Sequence, residues 1–381
     1  MQLLVEGKRP VMLVGYGGCG KSQLVLGLLS SQNPERRVHT TVNFNFYTNA
    51  KACQAALEAP LEKKTGTTFG PPGSADMVFF LDDMNLPEVD TYNTQSAISL
   101  LRQYLDYGHW YDRVKLMTRT VINCQYVAAM NPTAGSFLID PRLQRHFVTF
   151  AIGFPGPTSL HTIYNTFLNG HLMKFKPDIQ ALAGGLVNAA LGLHTSVTQT
   201  FRKSAVNFHY EFNIRHLSNV FQGLLVARPE QFDEPALMVQ LWLHESERVY
   251  GDRLVNYDDL GKYKAVAFST VKKRFPQFNC ANFFAAQNAD SLIFCHFAEN
   301  ALDKVYQRVT SLDKLRKILE DALNEYNESF TTMDLVLFED AMRHVCRIAR
   351  IVLNNAGHAL LVGVGGSGVA HCVQPVMLCA S

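Results

Sequence analysis

The sequence predicts an α/β fold in which a three-layer domain around a parallel sheet precedes an all-helical subdomain. A short apolar run at residues 11–14 leads through glycines into a helical pattern. Two more apolar runs, at residues 77–81 and 124–130, alternate with further helical segments. Strands that alternate with helices predict a parallel sheet. Beyond residues 154–157, Phe-Pro-Gly-Pro, the periodicity is helical as far as residue 250.

The first domain is expected to build one sheet from strands at residues 11–14, 38–45, 77–81, 124–130 and 146–152. The run at 77–81 is apolar throughout, as expected of a strand that is buried on both faces of a parallel sheet. Besides the helix that follows the first strand, the sequence predicts helices at 50–59 and 96–104, a Gly/Pro-rich loop at 65–74 and an inserted hairpin at 108–121.

The rest of the chain is expected to contain helices at residues 159–172, 179–200, 214–225 and 235–250. Patterns are mixed from 252 to 330, and a helix at 333–353 precedes a strand at 358–362 that enters the glycine-rich run 363–368. Because the chain there repeats its opening plan, we predict tandem modules. The expected domains are 1–155 (large α/β), 156–255 (helical), 256–332 (helical or mixed connector) and 333–381 (start of the next module).

Composition argues against several classes of function. The 381 residues carry a formal net charge of +2 and only short basic clusters, so we expect no nucleic-acid partner. No window of about 20 residues is apolar enough to span a bilayer, and the N-terminus lacks the apolar core of a signal peptide, so we expect no membrane partner. The eight cysteines form no Cys-x-x-Cys pair, which argues against a zinc ribbon.

The strongest chemical motif is the run from Gly15 to Ser22, Gly-Tyr-Gly-Gly-Cys-Gly-Lys-Ser, which matches the P-loop pattern. Its glycines let successive backbone N–H groups point at phosphates, and the following helix adds the positive end of its dipole. Lys21 can reach the β- and γ-phosphates, and the Ser22 hydroxyl can coordinate Mg²⁺. The predicted nucleotide ligands in this loop are Gly15, Gly17, Gly18, Gly20, Lys21 and Ser22. The alternative is a glycine-rich structural turn.

The second motif is the pair Asp82-Asp83, which follows the apolar run 77–81. An apolar strand that ends in two acids is the Walker B pattern, in which Asp82 would help to hold Mg²⁺. Asp83 stands where a catalytic Glu often polarises the attacking water. Because Asp is one methylene shorter, we expect slow hydrolysis. Taken alone, such a pair is equally compatible with a helix-entry signal.

The two motifs together are similar to those of AAA+ ATPases. In such proteins further residues complete the site, and this sequence has candidates at three positions. Asn131 ends a buried strand, where a polar residue orients the lytic water in such proteins; the alternative is an Asn-Pro turn. Either Arg142 or Arg145 would serve a neighbouring module as an arginine finger, unless both are surface arginines on a short helix. Arg215, near the start of a lid helix, would contact phosphate from the lid side, unless it forms an ordinary interhelical salt bridge.

Longer segments resemble a specific family. They are the P-loop together with residues 81–90 (Leu-Asp-Asp-Met-Asn-Leu-Pro-Glu-Val-Asp), 107–113, 131–137 and 213–225. These segments look like dynein heavy chains, and more narrowly like the third AAA+ module of an axonemal, outer-arm-type chain. The resemblance covers about residues 1–368.

The resemblance implies six AAA+ modules in one ring, a microtubule-binding stalk and a linker that swings. It implies a minus-end-directed microtubule motor of cilia and flagella, located in the cytoplasm, the cytoskeleton and the ciliary axoneme. The third module of such a ring typically binds ATP or ADP with Mg²⁺ and regulates release of the motor from its track, which agrees with Asp83 favouring binding over turnover. Implied partners are the neighbouring AAA+ modules and, in the full-length protein, the intermediate and light chains and microtubules.

Residues from about 333 onward resemble the start of the fourth module, but the motif then departs from the family. Val369 stands where the P-loop lysine is expected, and Ala370 follows it. Without that lysine we expect no phosphate binding at this second motif. Because residues 371–381 resemble nothing in the family, we expect a truncated or alternatively spliced product, or a misassigned gene end. Such a fragment would bind nucleotide with slow or no hydrolysis and could not walk.

Two other functions are compatible with these motifs. A stand-alone AAA+ ATPase, such as an unfoldase or a helicase loader, would need a pore-loop aromatic or a DNA-binding element, and the sequence contains no clear one. A non-catalytic interaction fragment would bind dynein subunits without binding nucleotide.

Overall fold

A computed structural model describes residues 1–133, 139–284, 292–299, 305–329, 332, 336–354 and 357–361. It divides into two compact units, Met1–Pro155 and Gly156–Ser381. No helix in the described ranges is both long enough and apolar enough to cross a membrane.

The first unit contains one parallel sheet and one smaller sheet. Its strands are β1 Val11–Val14, β2 Arg37–Asn43, β3 Glu62–Lys63, β4 Thr68–Gly70, β5 Asp76–Asp82, β6 His109–Tyr111, β7 Thr118–Val121, β8 Cys124–Met130 and β9 Val148–Ala151. Its helices are α1 Gln2–Glu6, α2 Lys21–Ser30, α3 Ala50–Glu58, α4 Ser96–Tyr107 and α5 Pro141–Gln144. The main sheet has the order β2-β5-β8-β1-β9, and all of its neighbouring strands are parallel.

Both faces of the main sheet are covered, which confirms the predicted three-layer α/β fold. Successive residues of a strand point to opposite faces. Phe79 therefore packs in the core that includes residues of α3 and α4, whereas Phe80 packs in the core that includes residues of α1 and α2. Residues 77–81 of β5 are all buried, which explains their uninterrupted apolar run.

The smaller sheet has the order β3-β4-β7-β6. The predicted hairpin at 108–121 corresponds to β6 and β7, which are antiparallel. The region 65–74, which we expected to be only a loop, contains β4. That strand pairs in parallel with β7 through Thr68 and Phe69, so its backbone is paired by contacts that local composition does not reveal.

The second unit is mainly helical. Its elements are α6 Pro157–Leu172, α7 Pro177–Gln180, α8 Ala183–Thr200, α9 Ile214–Leu224, α10 Pro235–Val249, α11 Tyr257–Arg274, β10 Phe294–Cys295, β11 Gln307–Arg308, α12 Leu312–Ser329 and α13 Glu339–Leu353. Helices α8 to α11 bury a core around Trp242 and Phe275, and β10 pairs antiparallel with β11.

Of the strand predicted at 358–362, residues 358–361 have no regular secondary structure, and residue 362 lies outside the described residues. No strand of the described chain pairs with them, and an extended segment needs such a partner for its backbone N–H and C=O groups. The glycine-rich run 363–368, Val369, Ala370 and the tail to residue 381 lie outside the described residues.

Candidate nucleotide-binding site

The P-loop connects β1 to α2, at the carboxyl edge of the main sheet. Gly15 follows β1, and its N–H donates to the Met130 carbonyl of β8 at 3.2 Å. A Cβ at Gly15 would lie 2.3 Å from the Ile152 carbonyl oxygen, so this position has no space for a side chain. Gly20 caps α2 with a φ of +93°, which is unfavourable for other residues. The glycines at these two positions therefore serve the loop geometry directly.

Lys21 is the first residue of α2, and its side chain folds back over the loop. The residue is only 8% exposed, and its Nζ donates to the carbonyl oxygens of Gly15 at 2.7 Å and Tyr16 at 2.9 Å. A nearly buried ammonium needs such polar partners. These bonds place the positive charge beside the loop and the N-terminus of α2, where phosphate oxygens would be favourable partners.

Ser22 and Asp82 are brought together although they are 60 residues apart in the chain. The Ser22 hydroxyl donates to Asp82 Oδ2 at 2.8 Å. Hydroxyl and carboxylate oxygens are hard ligands of the kind Mg²⁺ prefers. The two side chains fit a Mg²⁺–nucleotide complex, because they adjoin the helix N-terminus that would face the phosphates.

Asp83 is exposed and has a φ of +54°, in the left-handed region. Asp and Asn tolerate this conformation better than most residues. The backbone N–H of Asp83 lies 3.2 Å from Asp82 Oδ1. The backbone at this position thus favours the shorter acid, a restraint that the strand pattern did not reveal.

Asn131 lies at the end of β8, beside the P-loop. A Cβ at Gly17 would lie 3.6 Å from Asn131 Nδ2, whereas Asn131 Oδ1 accepts hydrogen bonds from the N–H and the hydroxyl of Thr133 at 3.1 and 2.8 Å. The fully buried Asn85 donates to the Asn131 carbonyl at 2.8 Å. We did not single out Asn85 from the sequence, although its position two residues after Asp83 could have indicated it.

An aromatic pair near the P-loop was also missed. Tyr16 of the loop stacks on Phe154, with ring centroids 5.9 Å apart and an interplanar angle of 2°. Both rings remain about half exposed. Phe154 is 138 positions away in the chain, and only its place before a Pro-Gly-Pro turn distinguished it in the sequence.

The two candidate finger arginines lie on α5 or directly after it, in different surroundings. Arg145 Nη2 donates to Asp106 Oδ1 at 2.8 Å, and His146 Nε2 lies 2.9 Å from the same oxygen. The hydrogen bond from Arg145 lowers the pKa of Asp106. Arg142 is exposed, and its guanidinium has no hydrogen bond or ion pair within the described ranges. Among the described residues, Arg145 therefore forms an ion pair within its own unit and Arg142 does not.

Arg215 belongs to the second unit, in the first turn of α9. This turn is built by a reciprocal cap, in which Asn213 Oδ1 accepts from the Arg215 N–H at 3.0 Å and His216 Nδ1 accepts from the Asn213 N–H at 3.0 Å. Burial, with a smaller effect of the Arg253 charge, lowers the pKa of His216 to about 4, so its ring remains a neutral acceptor. The Arg215 side chain itself is exposed.

Comparison with known proteins places these features in one family. Residues 1–155 match the family profile described as the P-loop containing dynein motor region. Residues 186–284 match the AAA+ lid domain, and residues 333–374 match the P-loop containing dynein motor region D4.

Similar proteins include the dynein alpha chain of the flagellar outer arm of Chlamydomonas reinhardtii, 53% identical over 369 residues. Human dynein axonemal heavy chain 17 is 51% identical and the ciliary dynein beta chain of Tripneustes gratilla 50% identical, each over 370 residues. Each alignment covers 97% of this chain but 8% of the relative. The chain therefore spans 8% of the length of these curated relatives. With its P-loop, parallel sheet and lid helices, this chain belongs to the dynein heavy-chain family and has the AAA+ fold of that family's motor region.

Proposed function

We propose that this chain binds ATP or ADP with Mg²⁺ at the P-loop of its first unit. The observation that carries the proposal is the 2.8 Å contact between Ser22 Oγ and Asp82 Oδ2, next to the nearly buried Lys21. Residues from the loop, from α2 and from the end of β5 thus meet at one edge of the sheet. Such convergence is expected of a phosphate and metal site and has no evident use in a purely structural turn.

Bound ATP would supply the phosphoanhydride bond, and the residues of the chain would bind and orient it. The N–H groups of the loop that contains Gly15, Gly17, Gly18 and Gly20 would hold phosphate oxygens. Lys21 would exchange its carbonyl contacts for the β- and γ-phosphates, and Ser22 with Asp82 would hold Mg²⁺.

We assign Asp83 and Asn131 to the attacking water, Asp83 as its base and Asn131 as the group that orients it. Because Asp83 is one methylene shorter than the Glu often found at this position, we expect it to hold this water poorly. Arg215 would contact phosphate from the lid, and Arg142 or Arg145 would act on the site of a neighbouring module. The site is therefore a nucleotide-binding regulatory site with slow or no hydrolysis in isolation.

We propose that this chain contains the third AAA+ module of a larger protein. That larger protein would be a minus-end-directed microtubule motor of cilia and flagella. The names of the relatives, flagellar outer arm, axonemal and ciliary, support an axonemal location within the cytoskeleton. The D4 match from residue 333 supports the assignment of the preceding residues to the third module. Neighbouring modules of the ring, intermediate and light chains and microtubules are the proposed partners.

The compact units and the D4 match support the first and last boundaries of a division into four segments, whereas the AAA+ lid match at residues 186–284 extends past the second boundary. We propose a nucleotide-binding domain at 1–155, a lid at 156–255, a connector at 256–332 and the next module from 333. A boundary between compact units after Pro155 supports the first division, and the start of the D4 match supports the last.

Binding of a fluorescent ATP analogue to the purified chain tests the proposal. With Mg²⁺ present, Lys21→Ala should weaken binding at least about thirtyfold, because removing a partner of a desolvated charged contact costs about 2 kcal/mol or more. Lys51→Ala, which removes an exposed lysine of α3, is the matched control and should leave affinity unchanged. Equal binding by the wild type and Lys21→Ala would contradict a P-loop site. Assembly into a homo-hexamer on adding ATP would favour a stand-alone ATPase instead.

A further inference from the structure

The second unit contains a polar cavity that shares no residue with the P-loop site. Its volume is about 110 Å³, and helices α10, α11 and α13 contribute most of its lining. A water molecule needs about 10–15 Å³ of such volume, so the cavity can hold several waters or one tetrahedral oxyanion. Its cationic lining residues are Arg248, Lys264, Arg343, Arg347 and Arg350.

Two deeply buried side chains bring unpaired hydrogen-bond donors to this lining. The Arg248 side chain is 9% exposed, and its Nη atoms lie 2.9 Å from Glu247 and 3.1 Å from Asp252. Its Nε has no partner in the described part of the chain, and the same holds for the hydroxyl of Tyr263, which is 2% exposed. Arg343 contributes a third unpaired Nε. Buried donors without acceptors are unfavourable, so an acceptor in the cavity would be stabilising.

The excess of positive charge around the cavity indicates that its ligand is an anion. Each of the four arginines has a carboxylate partner: Arg248 with Glu247 and Asp252, Arg343 with Glu339, Arg347 with Asp252 and Arg350 with Glu245. Lys264 has no ion-pair partner among the described residues. Five cations thus face four carboxylates, and an anion would supply both the missing charge and the missing acceptors.

We propose that this cavity binds an oxyanion of the phosphate class, either inorganic phosphate or the phosphate group of a small ester. Arg248 Nε, Arg343 Nε and the Tyr263 hydroxyl donate to its oxygens, and Lys264 supplies the countercharge. A tetrahedral anion offers oxygens in several directions, which suits donors from three different helices, whereas the two oxygens of a carboxylate share one plane. The bound anion would join α10, α11 and α13.

The test is equilibrium dialysis of the full chain against radiolabelled inorganic phosphate. All variants carry Lys21→Ala, so that phosphate at the P-loop does not contribute. We expect one phosphate per chain, bound about tenfold or more weakly by Lys264→Met and measurably more weakly by Tyr263→Phe. Lys262→Met is the matched control, because this exposed lysine of the same helix pairs with Asp259 and does not line the cavity. It should leave binding unchanged.

Two outcomes would overturn the proposal: no phosphate bound to the Lys21→Ala chain, which would mean that only water fills the cavity, or equal binding with and without Lys264→Met. Glycerol 3-phosphate in place of inorganic phosphate shows whether an ester can enter. Folding is checked independently, because the same phosphate concentration should raise the thermal unfolding midpoint of the Lys21→Ala chain more than that of Lys21→Ala/Lys264→Met.

Discussion

Replacing Gly223 of α9 by alanine should destabilise the second unit, although glycine-to-alanine changes inside helices usually stabilise. A Cβ at Gly223 would lie 1.9 Å from Glu245 Oε2 and 2.3 Å from its Cδ. Glu245 is fully buried on α10. Its carboxylate accepts bonds from Tyr306 at 2.6 Å and from Arg350 Nε at 2.9 Å, with a further bond from Arg350 Nη2. It cannot move aside without losing them.

The size of the effect follows from two opposing contributions. Alanine in a helix interior is favoured over glycine by about 1 kcal/mol. Separating Glu245 from Arg350 leaves buried charges unpaired, which costs about 3–5 kcal/mol. The Arg350 side chain is only 11% exposed, so solvent can replace little of the lost interaction. We therefore expect a net loss of about 2–4 kcal/mol in the free energy of unfolding.

Urea unfolding followed by circular dichroism and tryptophan fluorescence measures this loss, because Trp242 is buried on α10, three residues before Glu245. Gly192→Ala is the matched control. Gly192 lies inside α8, and a Cβ there would meet no atom within 4 Å beyond its chain neighbours and the backbone of its own helix, so this change should stabilise by up to about 1 kcal/mol. If Gly223→Ala also stabilised the unit, the buried ion pair would not be the restraint that the structure indicates.

Three further predictions use the same structure. Burial, with a smaller effect of the Arg248 charge, lowers the pKa of His244 to about 4, so the unfolded chain binds the proton first as pH falls. Stability should therefore decrease between pH 6.5 and 4 by up to about 3 kcal/mol, and His244→Asn should reduce that slope in urea titrations. Arg145→Ala should lower the urea midpoint slightly by removing the contact with Asp106, whereas an unchanged midpoint is expected for Arg142→Ala; the reverse order would contradict the observed pairing. Ser22→Ala should weaken nucleotide binding at least about tenfold with Mg²⁺ but little in EDTA, and equal losses in both would argue against a metal ligand.

Much of the candidate nucleotide site could be predicted from the sequence because its chemistry lies in short local patterns. The spacing from Gly15 to Ser22 identified the P-loop, and the apolar run before Asp82 identified a buried strand that ends in an acid. In a parallel sheet the carboxyl ends of neighbouring strands meet at one edge. The proximity of Ser22 to Asp82 therefore follows once the sheet is assumed.

Other features depend on contacts that periodicity does not record. The strand at 68–70 pairs with residues about 50 positions later, and residues 358–361, part of an expected strand, find no partner in the described chain. Local composition cannot report either fact, because a strand exists only where its backbone groups are paired.

The sequence by itself therefore determined the α/β class, the P-loop and the acids of the second motif, since these follow from residue type and local spacing. Only the tertiary structure decided that Arg145 pairs with Asp106 while Arg142 does not. It also decided that Glu245 pairs with Arg350, 105 residues away, where Gly223 leaves space for the carboxylate. The physical reason is that ion pairing, burial and steric space depend on which surfaces of the folded chain come into contact.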